Sequence, residues 1–479
     1  MKSKSIGSRS IGSEPAGNQE FDVAGHPLAT GKVSGLLLKF AIPSIISMLV
    51  GALYNIVDQV FIGHSVGILG NAATNVAFPL VTICMSLSLL LGIGGASNFN
   101  LELGKGNPER AGRIVANAIT YAVTIGVVLC AVVLLLLRPL LRSFGATDEV
   151  FSHAVTYTSI TSLGMPFLIV SACGSHLIRA DGSPTYSMLC NLTGALLNTV
   201  LDPLFIFGFG MGIAGAAWAT TLSQAVSCAM AVRHLMRFRS VPLARDYFRP
   251  RLSELKAIAS LGSSACFNQL SMMCVQIAMN NTLTRYGASS IYGSNVPLAA
   301  VGVITKVNMI FFSTVIGIAQ GGQPIIGFNY GAGNYARVEK TFWLISSCGT
   351  AVSIVSFLCF QLFPRQIISL FGSGSEEYYL FADRFFRIFL LMTFTSGILP
   401  STATFFTSIG KAMRGFLVAL TKQILFLLPL ILIFPRFWGI DGVMYAGPVA
   451  DSAAAILAAV LITTELRRMR KIDPAAPRT

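Results

Sequence analysis

Charge is what this sequence lacks most. Asp, Glu, Lys and Arg together make up 11% of its 479 residues, whereas 53% are hydrophobic. Soluble proteins carry about 25% charged residues, so this chain has too few charges to cover a water-exposed surface. Residues 114–137 and 307–336 contain no charged side chain at all, and each stretch exceeds the roughly 20 apolar residues that span a bilayer as a helix. The sequence therefore predicts a polytopic membrane protein and excludes an enzyme of the cytosol.

Other patterns are missing too. The long apolar runs do not alternate with polar residues as the strands of a membrane β-barrel do, so an all-α fold is predicted. The nine cysteines have no C-x-x-C spacing and the five histidines are scattered, so no fixed metal site or other cofactor is expected. There is also no Gly-x-x-x-x-Gly-Lys-Ser/Thr loop for ATP. The chain is not expected to be an enzyme.

Twelve apolar stretches are predicted to be membrane-spanning helices. They cover residues 36–62, 73–99, 112–137, 151–178, 184–208, 213–236, 254–284, 297–327, 341–363, 378–406, 412–435 and 440–466. The predicted organisation is a disordered cytoplasmic tail at 1–35, an N-lobe of six spans at 36–236, a cytoplasmic linker loop at 237–253, a C-lobe of six spans at 254–466, and a basic cytoplasmic tail at 467–479.

The Lys and Arg residues predict the orientation, because they concentrate in connections on the cytoplasmic side of a membrane. One side of the predicted topology has few of them: Arg138, Arg142, Arg285, Arg365 and Arg436. The other side has most of the rest, including Arg110, Arg113, Arg179, the run from Arg233 to Lys256, Lys411, Arg414 and Lys422. Both termini are therefore expected in the cytoplasm, in a multi-pass plasma membrane protein. The net charge of +14 is explained by contact with anionic lipid, and nucleic acid is not expected as a partner.

An internal repeat divides the chain. Gly104-Lys105-Gly106-Asn107 and Arg110 follow the second span, and the same Gly-x-Gly-Asn-x-x-Arg pattern returns 227 positions later, from Gly331 to Arg337, after the eighth span. Phe144-Gly145, Ala72-Ala73 and Gly212-Ile213-x-Gly215 return at the same offset. Since six spans separate the copies, both halves enter the membrane in the same sense, as parallel repeats about an axis along the membrane normal. Two such bundles facing a cleft are typical of secondary transporters, although a duplicated scaffold would give the same pattern.

Three segments carry a family resemblance. Ala41-Ile42-Pro43-Ser44-Ile45, Tyr54-Asn55-Ile56-Val57-Asp58 and the segment from Ala319 to Gly327 resemble the multidrug and toxic compound extrusion (MATE) family. The resemblance runs from about residue 36 to residue 466. It implies a V-shaped pair of six-helix lobes that exports xenobiotics, often organic cations, in exchange for H+ or Na+.

Two carboxylates lie inside otherwise apolar spans. Asp58 and Asp202 each cost about 2.5 to 3.5 kcal/mol near a helix centre on insertion scales, and such a cost suggests a function. Tyr54 precedes Asp58 by four residues, and Asn198 precedes Asp202 by four, so each pair shares a helix face. Such a cluster can hold a proton, or bind Na+ through its oxygen atoms. The alternative is a carboxyl kept neutral by burial or paired with a fixed lysine.

The resemblance adds roles for these residues. Family members with a cation site in the N-lobe build it from an Asp in the first span, Asn-x-x-x-Asp in the fifth and a Thr in the sixth, which match Asp58, Asn198, Asp202 and Thr220. Pro43 is similar to a family proline that is proposed to bend the first span as a conformational switch. A static kink is the alternative, because a proline inside a helix removes one hydrogen bond.

The C-lobe offers weaker candidates. Lys306, Asp451 and Gln276 are predicted to line a substrate cavity, although Lys306 could equally extend to the lipid headgroups. Other family members bind their cation in the C-lobe through a Glu of the seventh span and an Asp of the tenth. Here the seventh span has Gln269 and Gln276 in place of a carboxylate, and Asp383 beside Arg384 fits a simple ion pair.

The functional prediction is a monomeric antiporter that exports small-molecule drugs and organic cations by alternating access, with membrane lipid around it and H+ or Na+ as the coupling ion. A lipid-linked sugar or lipid flippase is the alternative, since proteins of that kind share the two-lobe design.

Overall fold

The computed structural model describes residues 21–293, 295–370 and 375–472, and every regular element within those ranges is helical. The N-terminal half contains α1 (Pro27–Thr30), α2 (Val33–Val66), α3 (Ile68–Gly104), α4 (Pro108–Leu135), α5 (Leu137–Ser143), α6 (Asp148–Ala180), α7 (Pro184–Pro203) and α8 (Gly212–Leu235). The C-terminal half contains α9 (Leu252–Ala288), α10 (Asn295–Gly331), α11 (Tyr335–Leu362), α12 (Pro364–Ser369), α13 (Glu376–Phe389), α14 (Ile398–Ser408), α15 (Ala412–Leu420), α16 (Leu428–Ile433), α17 (Pro435–Trp438) and α18 (Ile440–Ile472).

All twelve predicted spans coincide with helices. Within the described ranges, nine helical segments are long and apolar enough to cross a membrane, and the bent pair Glu376–Phe389 and Thr393–Ser408 makes a tenth. The remaining two predicted spans are α8 and α9, which are 24 and 37 residues long. Both are long enough to cross a bilayer, and they are less apolar than the others. The predicted all-α, two-lobe fold class is confirmed.

The repeat has the same backbone in both copies. Gly106 and Gly333 adopt φ angles of +77° and +76°, a left-handed conformation that glycine reaches without steric cost. Asn107 N–H donates to the Glu102 carbonyl, and Asn334 N–H donates to the Asn329 carbonyl, each at a distance of 2.9 Å. The two Gly-x-Gly-Asn loops are therefore one turn built twice, 227 positions apart.

The two lobes, α2–α8 and α9–α18, meet along a surface that we call the seam, where α2 and α3 pack on α9 and α10. Gly104 packs on the Phe328 carbonyl, and Gly331, its repeat copy, packs on the Leu101 carbonyl, the copy of Phe328. A Cβ atom on either glycine would collide with the opposite backbone. This reciprocal contact places the pseudo-two-fold axis between α3 and α10.

The lobes separate away from the seam. Along the antiparallel helices α2 and α10, Ala41 lies against Gly321 and Ile45 lies against Gly317. About three turns further along α2, Ile56 instead lines an open cavity of about 370 Å³ that also contains Lys306 of α10. The pair of lobes is thus closed at one end and open at the other, as the V shape requires.

The N-terminal segment differs from the prediction of a disordered tail at 1–35. Residues 1–20 lie outside the described residues, but α1 and the start of α2 fall inside the predicted tail. The Leu28 carbonyl accepts a hydrogen bond of 3.0 Å from Asn329 Nδ2, and the His26 ring stacks on Phe328 with 4.5 Å between centroids. These partners belong to the C-lobe, which no local sequence pattern indicates.

The predicted linker loop, 237–253, lies on the N-lobe. Asp181 accepts the backbone N–H groups of Arg239 and Ser240 at 3.1 and 2.8 Å. Further along, Asn117 Nδ2 donates to the Tyr247 carbonyl at 2.9 Å, and its Oδ1 accepts Arg251 N–H at 2.8 Å. The connection is therefore fixed to α4 and α6 along most of its length.

Candidate functional site

The predicted polar cluster is assembled inside the N-lobe. Asp58 comes from α2, Asn198 and Asp202 from α7, and Thr220 from α8, and all four side chains are buried. Asn198 Nδ2 lies 3.4 Å from Asp202 Oδ1 and 3.3 Å from Thr220 Oγ1. With the amide turned over, its nitrogen donates to Asp202 Oδ2 at 3.0 Å. Either orientation places Asn198 between the Asp202 carboxyl group and the sixth span.

Asp58 and Asp202 lie close enough to form a side-chain hydrogen bond with each other. Two carboxyl groups can share such a bond only if at least one of them holds a proton, because ionised carboxylates only accept. Asp58 Oδ1, also buried, accepts no hydrogen bond from the described residues. Asp58 therefore has spare acceptor capacity at a buried position, which a bound proton or cation would satisfy.

The helix geometry changes directly after Asp202. α7 ends at Pro203, directly after Asp202, and Leu204–Gly208 continues as a π-helical turn. π-helical turns occur frequently at functional sites, because they turn side chains out of the regular helical register. Asp202 is fully buried directly before this irregular turn, so its carboxyl group faces the interior of the N-lobe instead of lipid.

Two tyrosines accompany the carboxylates. Tyr54 interacts electrostatically with both Asp58 and Asp202, as predicted from its position one turn before Asp58. Tyr157 of α6 interacts with all three of these residues and is 8% exposed. The sequence pattern does not reveal Tyr157. Unlike Tyr54, it has no carboxylate one turn away on its own helix, in a span rich in Ser and Thr.

The oxygen atoms of the cluster can bind either a proton or Na+. Two carboxylates, one amide and one hydroxyl supply only oxygen ligands, which hard cations prefer. Within the described ranges, no group of three or more His, Cys, Asp or Glu side chains converges as a transition-metal site would require. The cluster therefore fits an exchangeable monovalent cation.

Pro43 lies far from the cluster, at the seam. It sits inside α2 without interrupting the helix, and fifteen residues along a helix place it about 22 Å from Asp58. Its neighbours Ala41 and Ile45 are the residues that contact Gly321 and Gly317. A bend at Pro43 would therefore move the contact between the lobes.

The three predicted cavity residues do not form one site. Lys306 is exposed in the cavity of about 370 Å³ between α2 and α10, which Gln59, His64 and Asn71 also line. Gln276 of α9 donates to Asn280 Oδ1 at 2.9 Å. Asp451 of α18 pairs instead with Lys422 Nζ at 2.6 Å.

That last contact gives Lys422 a partner that the charge pattern does not predict. The charge pattern groups it with the cytoplasmic lysines, but its side chain is only 15% exposed and lies between the helices of the C-lobe. A second expectation also changes: Asp383 forms its ion pair with Arg387 at 3.2 Å, while Arg384 pairs with Asp441.

Comparison with known proteins places the chain in a family. The model of the MatE family matches residues 43–204 and 265–433, one segment in each lobe. The chain belongs to the MatE family. The matched segments leave out residues 1–42, 205–264 and 434–479, which include all of α8, α17 and α18, the linker and the start of α9.

The relatives of this MatE protein include exporters. It is 24% identical over 447 residues to "Multidrug export protein MepA" of Staphylococcus saprophyticus, with 92% of this chain and 95% of the relative covered. The protein of the same name from Staphylococcus aureus MSSA476 is 24% identical over 441 residues, with 91% and 95% covered.

Solved structures share the fold. One described as the outward-facing conformation of a multidrug resistance MATE family transporter has a TM-score of 0.86 at 23% identity, covering 93% of this chain and 98% of the other. A MOP superfamily transporter from Pyrococcus furiosus has a TM-score of 0.85 at 22% identity, with the same coverage.

Proposed function

We propose that this protein is a secondary active antiporter that exports small-molecule drugs, organic cations among them, in exchange for H+ or Na+. The observation that carries the proposal is the buried pair Asp58 and Asp202, held with Asn198 and Thr220 in the N-lobe. The names of the MepA relatives support the substrate class. The two-lobe fold, closed at one end and open at the other, supports alternating access.

The proposed orientation follows the Lys and Arg residues. The Gly-x-Gly-Asn loops, the linker and both ends of the chain would face the cytoplasm, in a plasma membrane. In that orientation the seam closes the cytoplasmic side, and the cavity between α2 and α10 opens outward. The structure would then represent the outward-open member of the transport cycle.

The proposed cycle couples the cluster to the seam. A cation from outside binds around Asp58 and Asp202 and neutralises them. Because α2 carries Asp58 near one end and the seam contacts at Ala41 and Ile45 near the other, a change in its packing on α7 is transmitted along one helix. A conformational cycle of this kind is driven only if the cation and the drug have different affinities for the two states.

Transport by purified protein in liposomes tests the proposal. A fluorescent organic cation is followed under an imposed pH or Na+ gradient for wild type, Asp58→Asn and Asp202→Asn. We expect gradient-driven transport to fall at least ten-fold in both variants. Asp383→Asn is the matched control, because this carboxylate forms a half-exposed pair with Arg387 away from the cluster, and it should retain most of the activity. Undiminished transport in both cluster variants would refute the role of Asp58 and Asp202.

A further inference from the structure

The C-lobe contains a second buried charge cluster that the proposed coupling does not use. Lys422 Nζ lies 2.6 Å from Asp451 Oδ1, and the two side chains are 15% and 12% exposed. The same ammonium group stands over the ring of Phe312, 5.1 Å from its centroid. A carboxylate combined with an aromatic face is the environment in which proteins recognise ammonium groups.

This cluster lies close to the repeat counterpart of the N-lobe site. Lys422 lies in the eleventh span and Asp451 in the twelfth, the repeat copies of the fifth and sixth spans that hold Asp202 and Thr220. By the 227-residue offset, Lys422 corresponds to Ala195 and Asp451 to Gln224. Ala195 is about one helical turn from Asn198, and Gln224 is about one helical turn from Thr220. Both displacements point toward the seam end of the molecule.

The backbone is irregular beside both clusters, although not at equivalent positions of the repeat. The described residues contain two π-helical segments, Leu204–Gly208 in the fifth span and Thr421–Leu427 in the eleventh. The tenth span also breaks, into a 3₁₀ turn at Thr393–Thr395, and Thr395 and Ser396 border a small cavity beside Lys422 and Asp451. Transporters built from two repeats commonly bind their ligands beside interrupted helices.

We propose that Asp451 and Phe312 form a second monovalent cation site, specific for ammonium groups, and that the Lys422 side chain is its built-in occupant. The N-lobe carboxylates have no lysine or arginine partner among the described contacts and must take a cation from solution. Asp451 carries its own cation on a tether four carbons long. A consequence that rests on the proposed function is that cations exchange in one lobe only.

Removal of the tethered amine should open the site to free cations. Lys422→Ala leaves a channel that fits propylammonium, and the melting temperature of the purified protein reports binding without any transport step. We expect Lys422→Ala to melt below wild type and to recover saturably with millimolar propylammonium. Wild type should not respond, because its site is filled. Propanol, which has nearly the same size and no charge, should have no effect.

The double variant Lys422→Ala/Asp451→Asn identifies the anion responsible. Removing both partners of a buried pair costs less than removing one, so this variant should fold, and it should not respond to propylammonium. An equal response in single and double variants would overturn the proposal, as would a folded Lys422→Ala that does not respond. Asp58→Asn on the Lys422→Ala background should leave the response unchanged, so the result is independent of coupling in the N-lobe.

If Lys422→Ala does not fold, Lys422→Met retains the volume of the side-chain stem. Ammonium ion, which is small enough for the space that the amine vacates, is then the probe. It should raise the melting temperature of Lys422→Met, whereas tetramethylammonium at equal concentration should not. Identical responses to the two ions would show that Lys422 makes only a structural ion pair.

Discussion

At the scale of single residues, the scarcity of charge makes the N-lobe cluster predictable. A carboxylate in an apolar span has a cost that few positions tolerate, so Asp58 and Asp202 are recognisable from the amino-acid sequence alone. Helical spacing then adds Tyr54 and Asn198, and the family pattern adds Thr220. The fold brings Asp58, Asn198, Asp202 and Thr220 into one buried site. Tyr157 is not predictable, because only the packing of α6 against α7 and α8 brings it to the carboxylates.

Tyr157→Phe tests that unpredicted member. Its hydroxyl group interacts electrostatically with both carboxylates, so its loss should weaken cation binding while leaving the fold intact. We expect the concentration of Na+ or H+ that gives half-maximal transport to rise three- to ten-fold, about 0.7 to 1.4 kcal/mol. Tyr121→Phe in α4, for which no hydrogen bond is found among the described contacts, is the control. Equal cation dependence in wild type and Tyr157→Phe would remove Tyr157 from the site.

Lys422 has a partner that the sequence did not predict. The span boundary places it within the eleventh helix, close enough to Lys411 and Arg414 to be counted with them on the cytoplasmic side. Those two residues do bind the buried carboxylate of Glu465 at the seam end. Lys422 instead has a partner on a helix 29 positions further along the chain, Asp451. Sequence spacing does not reveal partners on different helices, so the ion pair could not be predicted.

At the scale of elements, the positions of all twelve spans follow from the length of the apolar runs and their repetition at a fixed offset. Their irregularities do not follow. The π-helical turns of the fifth and eleventh spans share no sequence signature, since the first is apolar and the second begins with Thr-Lys-Gln. The N-terminal segment is also not predictable, because it is held by its own carbonyl groups, at Leu28 and Gly31, which the side-chain pattern does not show.

Arg337→Gln tests how that N-terminal segment is held. The Arg337 guanidinium group donates to the carbonyl oxygens of Leu28 and Gly31, so the segment that leads into α2 of the N-lobe is fastened to α11 of the C-lobe. A hydrogen bond from a charged group contributes about 1.5 to 3 kcal/mol. We therefore expect amide hydrogen exchange of residues 23–31 to accelerate at least ten-fold in the variant.

The matched control for this experiment is Arg365→Gln, since Arg365 forms an exposed pair with Glu376 on the other side of the molecule. It should leave exchange in residues 23–31 unchanged. If Arg337→Gln also leaves that exchange unchanged, the segment is held by the His26 stack on Phe328 and by Asn329 alone. Because the segment bridges the lobes at the seam, its release should also favour the state in which the seam is open.

At the scale of the whole molecule, the seam is built for close approach and for separation. Its contacts are mostly glycine against backbone: a Cβ on Gly94 would collide with the Ile258 carbonyl, and one on Gly262 would collide with the Leu90 carbonyl. Asn98 adds a hydrogen bond of 2.9 Å to the Ala257 carbonyl, and Gln323 adds one of 2.7 Å to Ser97. In the described residues no ion pair joins α3 to α9 or α10, so opening the seam separates no ion pair between these helices, and the buried Arg179 guanidinium group crosses the lobes only as a hydrogen-bond donor to Gln320 Oε1, at 2.7 Å.

Gly262→Val should therefore favour the state in which the two lobes are separated at the seam. The added side chain cannot be accommodated while α9 lies on α3 at Leu90, because backbone atoms at that distance cannot move aside independently. In the state with the lobes parted at this end, the same side chain meets no such obstacle. We expect spin labels on Lys105 and Ala332, at the two Gly-x-Gly-Asn loops, to show a larger fraction of long distances than in wild type, and transport to fall about ten-fold, on the order of 1.4 kcal/mol.

Gly302→Val is the control, since a Cβ at that helical glycine would have no neighbour within 4 Å, and it should leave the distance distribution unchanged. A Gly262→Val protein that keeps the wild-type distribution would mean that the seam does not separate at α3 and α9 during the cycle. The moving boundary would then lie between α2 and α10, where Pro43 is located, and alternating access would depend on the first span rather than on the lobes as rigid units.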